Sequence, residues 1–290
     1  MINYFLHILV MINIYLILAL SLNVFMGYTG LISLTHAAFF GIGAYTTALL
    51  MIHLKLNFFL CLLLGMVLTF IIAYLIGKIS LIFKEELFVL VTLGFQMIVY
   101  AILYNWTNVT RGAYGIIGIP KPSLLGFEFS GLWSFFILSG IIAAVMFIYF
   151  KLLDKSAFCL YLKGIRDNEL AFISSGKSPA YYKTLAFVIS GGAAGISGAL
   201  YAPYINYISP DSFNLDVSIF ILCIVMVGGA GNLRGPLIGT IFMVIAPEAL
   251  KYLGLPDAAA DNMRQIIYGL LLVLLMRYRP QGLLGEYKFE

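Results

Sequence analysis

Residues 4–26 have the sequence YFLHILVMINIYLILALSLNVFM, in which no Asp, Glu, Lys or Arg occurs. A hydrocarbon core about 30 Å thick is spanned by about 20 helical residues, so this stretch predicts a transmembrane helix. No Lys or Arg precedes it, and it is longer than the apolar core of a cleaved signal peptide. We therefore expect a retained membrane span.

The rest of the chain repeats this apolar pattern. Hydrophobic residues make up 62% of the 290, and charged residues only 10%, against about 25% in soluble domains. This composition excludes a soluble catalytic domain, a disulfide scaffold and a disordered chain. It predicts an all-α polytopic membrane protein, a single domain over 1–290. Roughly 8–10 transmembrane helices are expected, with spans at 4–26, 31–54, 56–77, 87–104, 132–150, 184–204, 217–228, 237–253 and 263–276.

Some of these spans are expected to be irregular. The runs 217–228 and 263–276 are short for a bilayer, so each either borrows flanking residues or forms a half-helix inside the protein. Gly41 and Gly43 interrupt the run 31–54 and could divide it into two pieces.

A glycine-rich stretch interrupts the apolar run after residue 227. It contains Pro236, and its marked glycines are Gly228, Gly229, Gly231 and Gly235. Transporters place broken helices beside the substrate path, whereas glycines also make tight turns between helices. The sequence leaves both interpretations open.

Basic residues orient the chain. The segment 151–183 is rich in them, and its members are Lys151, Lys155, Lys163, Arg166, Lys177 and Lys183. Basic loops stay in the cytoplasm, which places this segment and the basic tail (Arg277, Arg279, Lys288) inside. Alternation then places 78–86 inside and 105–131, with the N-terminus, outside.

Neutral polar side chains lie within the predicted spans. Those expected to line a translocation path for a polar or zwitterionic solute are Asn23, Ser33, Thr35, His36 and Gln96. Hydrogen bonds between helices, worth about 0.6 kcal/mol each on average, are the alternative role. For each residue taken singly, the packing role is the more common one.

The sequence offers no energy source of its own. Ionisable residues are nearly absent from the centres of the first six spans, which argues against a proton-driven transporter, a pump or a voltage sensor. Sodium coupling is excluded less firmly, because carbonyls and hydroxyls can coordinate the ion. No Gly-rich phosphate loop ending in Gly-Lys-Ser/Thr occurs, so uphill transport would need another polypeptide.

The segment 151–183 also predicts a short amphipathic helix that begins near Arg166 or Asp167. Its apolar positions include Ile165, Leu170 and Ile173, and acidic groups suit its N-terminal end. A cytoplasmic helix outside the bilayer needs a cover for its apolar side. A partner protein and the chain's own helix ends are equally good candidates.

Neither a cofactor nor a metal is expected. Cys61, Cys159 and Cys223 are isolated in the sequence, which indicates small core residues rather than a disulfide or metal framework. The net charge of +4 is too small and too scattered to indicate nucleic-acid binding.

Five blocks of sequence resemble the permeases of branched-chain amino acid ATP-binding cassette (ABC) transporters, in the same order. They are ALSLNVFMGYTGLISLTHAAFFGIGAY at 19–45, TRGAYGIIGIP at 110–120, GIRDNELA at 164–171, VGGAGNLRGPLIG at 227–239 and RPQGLLG at 279–285. The external and C-terminal blocks are more similar to the LivM-type subunit than to the LivH-type subunit. Two departures are Arg111, where the family usually has Gly, and the segment 174–177, which replaces an Ala/Gly/Asn pattern.

The resemblance implies an importer in the inner membrane, in which this chain is a multi-pass subunit without enzymatic activity. Its partners would be a second, LivH-like permease subunit, two cytoplasmic ATPases and an external solute-binding protein. The implied substrates are Leu, Ile and Val, with amides, urea or other small neutral solutes as the alternative. The block implied to dock on the ATPase comprises Lys163, Gly164, Ile165, Arg166, Asp167, Asn168, Glu169 and Leu170.

Two other classes of function stay open on the residues alone. One is a sodium-coupled carrier that works without partners. The other is a structural membrane protein whose glycines serve only helix packing.

Overall fold

A computed structural model describes residues 2–83, 85–124, 127–251, 269, 270, 273, 277 and 282–284 of the chain. The helices are α1 (Ile2–Thr29), α2 (His36–His53), α3 (Phe58–Ser80), α4 (Glu85–Asn105), α5 (Thr107–Thr110), α6 (Leu132–Asp154), α7 (Ala157–Asp167), α8 (Glu169–Ser174), α9 (Pro179–Ile205), α10 (Leu215–Gly228) and α11 (Arg234–Lys251). Single turns of 3-10 helix occupy Gly112–Tyr114 and Pro210–Phe213. The short strands are β1 (Ile116–Ile117), β2 (Ser123–Leu124), β3 (Phe127–Glu128) and β4 (Tyr207–Ile208).

The all-α polytopic fold is confirmed. Six helices in the described ranges are long and apolar enough to cross a membrane: α1, α3, α4, α6, α9, and α10 together with the preceding 3-10 turn. α2 and α11 are shorter. The predicted span 263–276 lies, except for residues 269, 270 and 273, outside the described part of the chain.

α1 and α9 form the centre of the bundle. Most of each is buried, whereas α3, α4 and α6 leave most of their apolar surface exposed, as expected for helices that face lipid. α9 packs against α2 and α3 through small residues. A side chain at Gly43 would collide with the backbone of Gly195, and one at Gly198 with the carbonyl of Phe40.

The structure corrects two expectations about α2. Gly41 and Gly43 do not divide it, because they lie inside one continuous helix and serve close approach to its neighbours. The helix also begins at His36 rather than Leu31, since residues 30–35 form no regular structure. His36 contacts Ser190, which lies about 17 Å along α9 from its first residue at 1.5 Å per residue. α2 therefore begins deep inside the bundle.

Contacts at the two ends of α1 agree with the predicted alternation of sides. His7, near its N-terminus, hydrogen-bonds Tyr204 near the C-terminus of α9 at 2.7 Å. Gly27, near its C-terminus, accepts a hydrogen bond from Arg166 of α7 at 2.7 Å. The basic segment 151–183 and the end of α1 are thus on the same side, opposite the end of α9.

Candidate functional site

Gln96 lies where α2, α4 and α10 meet. Its Oε1 accepts a hydrogen bond from the backbone N–H of Ala38 at 2.6 Å, and its Nε2 donates to the carbonyl of Phe213 at 2.8 Å. Ser218 accepts from the N–H of Ala37 at 3.0 Å and donates to Gln96 Oε1 at 3.4 Å. The first N–H groups of a helix have no partner within the helix. Side chains from two other helices therefore cap α2 inside the bundle.

His36 belongs to a second buried chain of hydrogen bonds. Its Nε2 lies 2.8 Å from Ser190 Oγ, and Ser190 Oγ donates to the carbonyl of Ser21 at 2.6 Å. A hydroxyl has one hydrogen, so Ser190 accepts from His36, and the imidazole carries its proton on Nε2. Nδ1 is then an acceptor, and it is buried without a hydrogen-bond partner among the described residues.

Ser33 and Thr35 stabilise the irregular segment before α2. Their hydroxyl oxygens lie 2.8 Å apart, and the backbone N–H of Leu34 donates to Thr92 of α4 at 3.4 Å. Both side chains are fully or almost fully buried. The structure thus brings Ser33, Thr35, His36 and Gln96 together around the start of α2.

Asn23 lies apart from that group, near the C-terminal end of α1. Its Oδ1 accepts from the backbone N–H of Gly231 at 3.0 Å, and its Nδ2 donates to the carbonyl of Asn232 at 3.2 Å. Of the two interpretations of the glycine-rich stretch, the structure shows the turn, which joins α10 to α11. Gly229 and Gly231 have φ of 104° and 85°, a region that favours glycine.

The turn also holds Gly228 and Gly235 close together, since a side chain on either would meet the backbone around the other. Part of the C-terminal block covers the turn. The N–H groups of Leu283 and Leu284 donate to the last carbonyls of α10, Val227 and Gly228, at 2.9 and 3.0 Å. These carbonyls would otherwise be unsatisfied at the helix end.

The expected single helix starting near Arg166 or Asp167 is wrong. The segment forms two helices, because Asp167 ends α7 and Asn168, in an extended conformation, begins α8. The side chain of Asn168 accepts from the N–H of Ala171 at 2.9 Å, the usual geometry of a helix N-cap. Asp167 therefore lies at the C-terminal end of a helix.

A hydrogen bond and a cation–π contact hold α7 against the C-terminal end of α1. Arg166 donates from Nη1 to the carbonyl of Gly27 at 2.7 Å and from Nε to Asp167 at 3.2 Å. Lys163 lies 4.8 Å from the ring centroid of Tyr28 and pairs with Asp154 at 3.2 Å. A cation at the C-terminal end of α1 complements the helix dipole.

Some apolar side chains of α7 and α8 pack against the rest of the chain, and others are exposed. Phe172 packs edge-to-face on the ring of Tyr182, and Ile165 of α7 is buried. Leu170 and Ile173 remain 79% and 50% exposed. Glu169 pairs with Lys183 of α9 at 2.8 Å and so fixes α8 against the bundle. A helix fixed at the end of the bundle where α1 ends thus leaves two apolar side chains exposed.

Two features near the C-terminal end of α9 were not evident in the sequence. β1 pairs with β4, which ties the loop after α5 to the end of α9. Lys121 Nζ donates to the carbonyls of Pro203 and Tyr204 at 2.8 and 3.1 Å, and burial lowers the pKa of this amine. Nothing in the local sequence signals either contact, since the partners lie far along the chain.

Arg111, one of the two expected departures from the family pattern, adopts φ of 61° and ψ of 11°. This left-handed conformation is the one that glycine adopts at least cost. The loop therefore keeps a shape that a glycine would also give it.

Within the described ranges, no three His, Cys, Asp or Glu side chains are grouped so that they could hold a metal ion. Apolar spans, a helix that begins inside the bundle, and buried neutral polar groups define a multi-pass membrane permease.

The chain belongs to the family described as branched-chain amino acid transport system / permease component, whose model matches residues 4–276. It is 35% identical to the high-affinity branched-chain amino acid transport system permease protein LivM of Salmonella typhimurium, over 93% of this chain and 68% of the relative. It is 26% identical to a probable LivM of Methanocaldococcus jannaschii, over 96% of this chain and 92% of the relative. A probable LivH of that organism is 22% identical over 94% and 89%. No solved structure matches the chain.

Proposed function

We propose that this chain is one of two membrane subunits of an ABC importer for Leu, Ile and Val in the inner membrane. The names of the similar LivM and LivH proteins support the substrate and the pairing with a second, LivH-like permease subunit. Two cytoplasmic ATPases and an external solute-binding protein complete the proposed assembly. This chain then has no catalytic role, in keeping with its lack of a phosphate loop.

The observation that carries the proposal is the exposed apolar edge of α8. Leu170 is 79% exposed although Glu169 and Phe172, on either side of it, are held by the chain itself. Leu170 and Ile173, three residues apart on α8, together leave an apolar edge exposed, and contiguous apolar surface rimmed by polar residues marks interaction sites. In our proposal the 163–170 block docks on an ATPase, and α8 enters its surface.

The proposed path passes the group of Ser33, Thr35, His36 and Gln96. A zwitterion there would meet one group suited to each of its charges. The N-terminal end of α2 is the positive end of a helix dipole and suits a carboxylate. His36 Nδ1 is an acceptor and suits an ammonium group.

All four side chains are buried, so the described conformation is closed around this group. Alternating access would open it, as the ATPases move α7 and α8 relative to the spans.

The test is uptake of labelled leucine by vesicles that contain the reconstituted importer. Uptake should require ATP, both permease subunits and the binding protein. Sodium-dependent uptake by this chain alone would overturn the importer proposal and establish the carrier. A panel of Leu, Ile, Val, amides and urea, scored by stimulation of the ATPase, separates the proposed substrates from the alternatives. Stimulation by urea or amides only would overturn the amino acid assignment.

A further inference from the structure

About 60 residues separate α7 from the α10–α11 turn in the sequence. α1 nevertheless contacts both elements. On one side, Arg166 donates to the carbonyl of Gly27. On the other, Asn23 holds both the N–H of Gly231 and the carbonyl of Asn232. Gly27 and Asn23 are one helical turn apart on the same face of α1.

α1 and the turn are closely packed. A side chain at Gly27 would collide with the backbone N of Gly231, so the two backbones already lie at closest approach. A displacement of the end of α1 towards the turn would therefore push the turn, and the two hydrogen bonds of Asn23 oppose separation. Closely packed interiors transmit such movements because they are stiff.

The turn also forms hydrogen bonds with the C-terminal segment. Asn232 donates from Nδ2 to the carbonyl of Leu284 at 3.1 Å and accepts from the N–H of Arg234 at 2.7 Å. Its side chain therefore joins the tail to the start of α11. Through these bonds the ends of α1, α10 and α11 and the tail form one unit, which we call the clasp (Asn23, Gly27, 228–234 and 282–284).

We propose that Asn23 is a positioning residue for coupling. It passes the movement of α7, received by α1 through Arg166, to the turn between α10 and α11. This inference rests on the proposed function, because it assumes that an ATPase moves α7. In the alternative, Asn23 only satisfies two buried backbone groups and has no part in coupling.

The test uses the assembled importer in vesicles and measures both ATP hydrolysis and leucine uptake. Asn23→Ala should keep substrate-stimulated hydrolysis and lower uptake per ATP by roughly 2- to 30-fold, the range for residues on a coupling route. Asn13→Ala is the matched control. Asn13 lies on the same helix and donates one hydrogen bond, to Ser139 at 3.2 Å, far from the clasp. Equal ratios of uptake to hydrolysis for the two variants would overturn the inference.

A double-mutant cycle separates a relay from two independent losses. Arg166→Ala should lower the same ratio, and adding Asn23→Ala should lower it no further, because both substitutions break one route in series. If the two losses in the ratio of uptake to hydrolysis multiplied in the double variant, the relay from Arg166 to Asn23 would be wrong.

If Asn23→Ala does not assemble, hydrogen exchange on the assembled Arg166→Ala importer decides the matter. ATP should still change exchange in α8, whereas the ATP-dependent change at 228–233 seen in the unsubstituted importer should disappear. A change at the turn that persists would contradict the inference. If the unsubstituted importer shows no ATP-dependent uptake at all, the proposed function fails instead, so the two failures are distinct.

Discussion

The centre of the bundle buries polar side chains, whereas α8 exposes apolar ones. Around the start of α2, polar groups are deeply buried, and Gln96, Ser218 and Ser190 satisfy backbone groups of other segments. On α8, the apolar side chains of Leu170 and Ile173 are 79% and 50% exposed although a salt bridge holds the helix in place. The chain itself satisfies most polar groups of the first region, whereas in our proposal a partner covers the second. Substitutions in the centre should therefore affect folding, and substitutions on α8 should affect assembly.

The largest effect is expected at Gly43, where α2 touches α9. Gly43→Ala places a methyl group against the backbone of Gly195, and overpacking of this kind typically costs about 1–3 kcal/mol, or more where backbone must move. Most of the protein should then be lost from the monodisperse peak after detergent extraction. Gly94→Ala on α4, where nothing lies within 4 Å of the added methyl, should be neutral or stabilising. Equal recovery of both variants would contradict the central role of this contact.

Gln96→Leu should be the next most damaging change. It keeps the approximate volume but leaves the N–H of Ala38 and the carbonyl of Phe213 unpaired, at about 1–3 kcal/mol for each buried group. The thermal unfolding midpoint in detergent should fall clearly. Thr46→Ala is the control, because Thr46 bonds only to a carbonyl of its own helix. A midpoint equal to that of the control would show that Gln96 does not cap α2.

Leu170→Ser should separate assembly from folding. Leu170 makes no buried contact within the chain, so the unfolding midpoint should stay within error, while co-purification of the ATPases should weaken about 10-fold, typical of an interface anchor. Leu152→Ser removes a side chain of similar exposure (66%) from the end of α6 and is the control. If the two variants retained the ATPases equally, α8 would not be the docking element.

The smallest effect is expected at Arg111, on the external side. Arg111→Gly relieves a left-handed conformation but makes the unfolded chain more flexible, so the gain should be a few tenths to about 1 kcal/mol. A small rise in the unfolding midpoint should be measurable by scanning fluorimetry. A fall would mean that the arginine side chain contributes contacts that outweigh its backbone strain.

Hydropathy predicted the class of fold because span length follows from bilayer thickness. It misplaced the start of α2, since the apolar run continues through residues 31–35, where no helix forms and the N–H of Leu34 bonds to Thr92 of α4 instead. The break at Asn168 carried a local signal, because Asn is a preferred N-cap, but the helical pattern across it was stronger.

The candidate site was less predictable than the fold. Residue types alone grouped Asn23 with His36 and Gln96. Only the packing of α1 against a turn some 208 positions later separates them. Contacts between such distant positions, like the pairing of β1 with β4, depend on how the helices pack and leave no local pattern.

The clasp has a consequence for biogenesis. Asn23 is made long before Leu283 and Leu284, whose N–H groups bond to the last carbonyls of α10. During synthesis these carbonyls therefore wait for their partners until residues 283 and 284 have been added. A product that stops before residue 283 leaves both carbonyls without these donors.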